Sequence, residues 1–126
     1  MCNFALTPNK KLQVVSDQVG QPTSAEDLAK QIIYLINSNA SRGIYHGTNS
    51  GQASWFEFAK EIFKLIGADE NRILEASSKS LKRAAVRPTY SVLSHESWIK
   101  ADLNPMQDWK TALNSALPKI LNSLKI

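Results

Sequence analysis

Leu12-Gln13-Val14-Val15-Ser16-Asp17-Gln18-Val19-Gly20-Gln21-Pro22-Thr23-Ser24-Ala25-Glu26-Asp27-Leu28-Ala29 is the stretch on which the reading of the fold turns. It opens on a short apolar run, Leu12 to Val15, whose adjacent β-branched valines predict a strand. Ser16 to Pro22 is turn chemistry, small and polar residues with one glycine and one proline. Thr23 and Ser24 then precede Glu26 and Asp27, so either hydroxyl predicts a helix N-cap, with carboxylates in the first turn where the helix dipole favours them. Leu28, Ile32, Leu35 and Ile36 recur at helical spacing to about Ser38, which predicts a helix with one buried face.

The same reasoning carries down the chain. Asn39 to Gly43 reads as a turn and Ile44 to His46 as a short strand, followed by the small, polar stretch Gly47 to Ala53. Ser54 and Glu57 stand three apart as a capping box, Phe58, Ile62, Leu65 and Ile66 form an apolar stripe, and Gly67 stops the helix. Ile73 and Leu74 predict another short strand, 76–90 a loop and His95 to Lys100 a short helix. Asp108 is placed to cap a last helix, lined by Ala112, Leu113, Ala116, Leu117, Ile120 and Leu124 and kinked at Pro118. The expected fold class is therefore α/β, a small mixed α and β domain spanning 1–126 with helices on a few short strands. Three short strands offer little sheet for these helices to cover, so two of them are candidates to extend a sheet supplied by another segment.

With 126 residues, 43% of them apolar, one compact domain with a single core is expected. No apolar run approaches the roughly 20 residues of a membrane span, and Met1 and Cys2 do not open a secretory signal. One cysteine forms no internal disulfide, so a soluble protein of the reducing cytoplasm is the default expectation. His46 and His95 lie far apart with no paired cysteines, which predicts no metal site. The net charge of +4 raises nucleic acid as a partner, but no recognition motif and no basic stripe interleaved with aromatics accompanies it. The charge is local: no acidic residue falls between Glu75 and Glu96, and Lys79, Lys82, Arg83 and Arg87 all do.

Val14 to Ala29 resembles a segment of the dTDP-4-dehydrorhamnose reductases, members of the extended short-chain dehydrogenases. Three further blocks fall in the family's order: Gly43-Ile44-Tyr45-His46 with Ser54-Trp55-Phe56-Glu57-Phe58-Ala59, then Arg87-Pro88 with Ser91-Val92-Leu93, then Asp108-Trp109-Lys110-Thr111-Ala112-Leu113. The resemblance spans nearly the whole chain and implies the family's carboxyl-terminal, substrate-binding portion alone. It also implies a parent reaction, NAD(P)H-dependent reduction of a 4-keto sugar linked to thymidine diphosphate. The parts needed for that chemistry are a glycine-rich turn at a helix amino terminus for the cofactor and a Tyr-x-x-x-Lys pair for proton transfer. Neither is in this sequence: the five glycines make no such pattern, and four residues after Tyr34, Tyr45 and Tyr90 come Ser38, Asn49 and Ser94. No catalytic and no cofactor-binding residue is therefore assigned. The partners implied are a dTDP-sugar and a separate Rossmann half, with self-association as the alternative; no nucleic acid and no membrane are expected.

The substrate-binding candidates are Arg87, Gln18, Asp17, Arg83 and Lys82. Asp17 and Gln18 beside Gly20 and Pro22 either present polar groups to a ligand or only shape the connection from strand to helix. Arg87 before Pro88 is placed to fork onto diphosphate oxygens, or else is a surface arginine pairing a carboxylate. Lys82 and Arg83 add long-range attraction for an anion. Of the tryptophans, Trp98 and Trp109 are expected in a core, while Trp55, near the polar stretch, is a candidate for an exposed role. A second function class stays open, a binding or regulatory module that kept this fold and lost catalysis.

Overall fold

The computed structural model describes residues 1–80 and 85–124. In chain order it contains α1 (Cys2–Leu6), β1 (Leu12–Val15), β2 (Val19–Gly20), α2 (Ala25–Ile36), β3 (Asn49–Ser50), β4 (Ala53–Ser54), α3 (Trp55–Ile66), β5 (Ile73–Ala76), α4 (Glu96–Lys100), β6 (Met106–Asp108) and α5 (Trp109–Leu124). Single 3₁₀ turns span Glu70–Arg72 and Ser78–Ser80. The mixed α and β class expected from the sequence is what forms, and its strands are indeed short. They make separate two-stranded ladders: β1 parallel to β5, β2 antiparallel to β4, and β3 parallel to β6.

α3 organises the molecule. Ser54 Oγ accepts from the Glu57 backbone N–H at 3.1 Å while the Ser54 N–H donates to Glu57 Oε2 at 2.7 Å, so the expected capping box is complete. Gly67 ends the helix in the left-handed region at φ 75°, where a side chain would be strained. On one side Ala59 and Phe63 pack with Ala5, Val14 and Ile73; on the other Ile62 packs with Ala53, Trp109 and Leu113. The single core expected is thus two clusters flanking one helix, with Ile66 touching both.

α1, which has no apolar period of its own to announce it, is held by a cation from elsewhere. The Arg72 guanidinium donates to the carbonyls of Phe4, Ala5, Thr7 and Lys10 and lies 5.2 Å from the Phe63 ring. A guanidinium suits this position because its donors fan out in one plane while its face stacks on the ring.

Two further expectations need correction. Among the described residues Ile44 to His46 pairs with no strand; side chains hold it instead. Tyr45 packs edge-on against Trp98 at 5.2 Å, its hydroxyl donates to the Ser41 carbonyl, and the Trp98 indole N–H donates to the His46 carbonyl. The ladder begins three residues later at Asn49. The apolar stripe of α2 is also not a buried face here: Leu28 and Leu35 are half-buried, but Ile32, Ile33 and Ile36 are exposed, Ile36 by 74%. Polar groups at its amino end tie this helix down. Fully buried Asn49 donates to Asp27 Oδ2 and to the Gln107 carbonyl and accepts from the Ser24 N–H, and Glu26 pairs with Lys30 and Lys119. α5 is capped as expected, Asp108 Oδ1 accepting from the Lys110 N–H at 2.8 Å, and it runs through Pro118 without a break. Among the described residues no helix is long and apolar enough to cross a membrane, and no group of three or more His, Cys, Asp or Glu side chains is placed to hold a metal.

Candidate functional site

Three pieces of chain converge on a cleft. The β2–β4 pairing sets Val19 beside Ser54 and Gly20 beside Ala53, so the turn that follows β2 lies against the amino end of α3. Trp55 and Phe58, three apart on that helix, then stand on the same side of it. Arg87 to Ser91 comes alongside β2: the Val19 N–H donates to the Thr89 carbonyl at 2.8 Å and the Ser91 N–H to the Val19 carbonyl at 2.9 Å. The enclosed space is about 470 Å³, in the range of small-ligand sites, and its lining includes Gln18, Gln21, Trp55, Phe58, Arg87 and Ser91.

A second hollow of about 320 Å³ lies behind it, walled by Met1, Phe4, Leu12 and Val14 among others. Gln18, Trp55 and Arg87 line both spaces and so form the ridge between them. Each has a different character. Gln18 is only 8% exposed and lines the cleft, where its side-chain amide offers both donors and an acceptor. Trp55 is 48% exposed and meets Phe58 edge-on at 6.3 Å, and Phe58 in turn meets Trp109 at 5.9 Å, an aromatic ladder running from the cleft into the core. Arg87 is exposed, and the ion pairs among the described residues, Lys30–Glu26, Lys100–Glu96 and Lys119–Glu26, leave it out. One neutral amide, one flat aromatic face and one guanidinium suit a ligand that is part planar and part anionic.

Of the candidates named from sequence, Gln18 and Arg87 thus come together on the cleft, with Trp55 beside them. Asp17 is not part of its lining. Its carboxylate turns the other way and accepts from the Ser78 N–H at 2.9 and 3.0 Å and from the Ser77 and Ser78 hydroxyls at 3.0 Å each. The Ser78 N–H is the chief cause that holds its pKa below the ordinary aspartate value. Lys82 and Arg83 lie outside the described residues. Gln21 and Ser91 are cleft residues that the sequence reading did not single out, and no pattern in the sequence marks them as such.

Comparison with known proteins follows the same lines. A family model described as the RmlD substrate binding domain matches residues 1–122. A dTDP-4-keto-6-deoxy-D-glucose reductase of Streptomyces niveus is 44% identical over 112 residues, which are 89% of this chain and 38% of the relative. Among solved structures, a dTDP-4-dehydrorhamnose reductase of Clostridium acetobutylicum superposes with a TM-score of 0.85 at 34% identity, over 94% of this chain and 41% of that one. The Bacillus anthracis reductase of the same name, solved in complex with NADP, gives 0.81 at 35% identity over 88% and 39%. The chain therefore spans about two fifths of the length of these relatives.

Proposed function

The chain belongs to the RmlD substrate binding domain family, and we propose that it supplies the nucleotide-sugar-binding part of an NAD(P)H-dependent reductase acting on a dTDP-linked 4-keto-6-deoxy sugar. The observation that carries this reading is the ridge of Gln18, Trp55 and Arg87 along the cleft. In it Arg87 forks onto the diphosphate, Trp55 offers a face to a ring, and the amide of Gln18 pairs with polar ligand edges.

The nicotinamide cofactor does not fit the residues of this chain. Of the glycines with positive φ, Gly51 turns the chain between β3 and β4 and Gly67 ends α3, so neither leads a strand into the amino end of a helix as a pyrophosphate cradle requires. No tyrosine has a lysine four residues on. Hydride and proton donors thus belong to another polypeptide segment, a Rossmann half, for which the exposed isoleucines of α2 are a suitable apolar seat. A cytoplasmic location goes with this reading.

Calorimetric titration with dTDP tests it. Binding is expected in the wild-type chain and is weakened by about 1.5 to 3 kcal/mol, roughly ten- to a hundredfold, in Arg87→Ala. Arg87→Lys keeps the charge and loses the fork, so it is expected to sit near Ala rather than near wild type. Equal affinity in all three proteins would remove Arg87 from the site, and NAD(P)H oxidation by this chain alone with the keto sugar would overturn the division of labour.

A further inference from the structure

The Arg87-bearing segment is fastened at both ends to one short stretch, Asp17 to Gln21. At the near end Asp17 takes the N–H and hydroxyl of Ser78 and the hydroxyl of Ser77. At the far end the chain from Thr89 to Leu93 runs parallel to β2. Val19 supplies the first two bonds of that ladder, to Thr89 and Ser91. A regular parallel ladder would next use the backbone of Gln21. Among the described residues it does not: the Gln21 backbone makes no bond to Ser91 or Leu93, and its carbonyl accepts from the Thr23 hydroxyl at 2.9 Å as the chain turns into Pro22. The Gln21 side chain takes the vacant place. Its Oε1 accepts from the Leu93 N–H at 2.8 Å and its Nε2 donates to the Leu93 carbonyl at 3.2 Å, so a side-chain amide stands in for a peptide group.

We propose that Gln21 is a positioning residue that fixes Thr89–Leu93 on β2 and so sets Arg87 at the cleft, while Asp17 anchors the other end of the same basic segment. The role as a ligand-site device rests on the dTDP-sugar reading above. Arg87 lies two residues before Thr89, with Pro88 between them limiting backbone rotation, so displacement of the ladder moves the guanidinium with it. The order of residues along the stretch fits this division: Asp17 and Gln21 turn to the basic segment, and Gln18 between them faces the cleft.

Gln21→Met tests the proposal, since methionine has similar length, no charge and no hydrogen-bonding amide. Without ligand, amide exchange of Ser91 and Leu93 is expected to accelerate markedly while the amides of α3 exchange as in wild type. In calorimetry with dTDP, Gln21→Met is expected to lose about tenfold in affinity in the wild-type background and less than about twofold when Arg87 is already alanine, because coupled residues are not additive. Unchanged exchange at Ser91 and Leu93 overturns the fastening. An equal loss in both backgrounds overturns the action through Arg87 and makes Gln21 a direct ligand contact instead. If wild type binds no dTDP, the ligand reading fails, and exchange alone decides whether Gln21 fastens the segment.

Discussion

The Asp17 carboxylate accepts from three donors on two consecutive serines, and that bonding has a consequence in acid. Bonds to the charged form hold its pKa below the ordinary 3.8. A carboxyl lowered on folding adds stability that is fully present above its unfolded value and is lost as pH falls through its folded value. The anchor at Ser77 and Ser78 is therefore expected to hold at neutral and mildly acidic pH and to release only below 3.8. The Ser78 amide resonance followed by NMR should titrate in that window and cease to do so in Asp17→Asn; a midpoint at or above 3.8 would refute the assignment. Gln18 and Arg87 could be named as candidates from sequence because a polar residue in a turn and an arginine ahead of a proline state their chemistry locally, and both line the cleft, contact with a ligand being the proposal above. Asp17 against Ser77 was not, since those partners are 60 positions apart. Gln21 was illegible for a related reason: a side-chain amide replaces a peptide only once tertiary structure has aligned Leu93 with it.

Among the elements, α3 is the one whose sequence determines it most completely: cap, stripe and stop all lie within Ser54 to Gly67, and all three form. Ser54→Ala removes the acceptor for the Glu57 N–H and with it one half of the capping box, so a loss of roughly 1 to 2 kcal/mol in unfolding free energy is expected. Urea denaturation with an unchanged m-value checks it, and a loss below a few tenths would show that the cap is replaceable. The same method of reading failed over Ile44 to His46 because β-propensity reports fit to a pleated surface, and Tyr45 finds its partner in the Trp98 ring instead. β2, β4 and β6, two or three residues each, are too short to carry any period, and α1 depends on Arg72, more than 60 residues downstream.

On the scale of the whole molecule, separate ladders and one uncovered helix describe a chain that keeps apolar surface in water. Ile32, Ile33 and Ile36 stand exposed on α2, a helix in which no residue is fully buried. Such a surface favours association, either with the segment that the longer relatives possess or with a second copy. Sedimentation velocity is expected to show concentration-dependent oligomers that Ile33→Lys with Ile36→Lys suppresses; a strict monomer at high concentration in the wild type would count against it. The β1–β5 ladder carries a different consequence. Its register joins Leu12 to Ile73, so pairing closes a loop of some 60 residues, at an entropic cost on the order of 3 to 4 kcal/mol before any contact is gained. α3 lies inside that loop and its first turn is stitched by neighbours three residues apart. Local order thus comes cheaply and distant order dearly, and the tempo of refolding is governed by how soon the two ends of that long excursion meet.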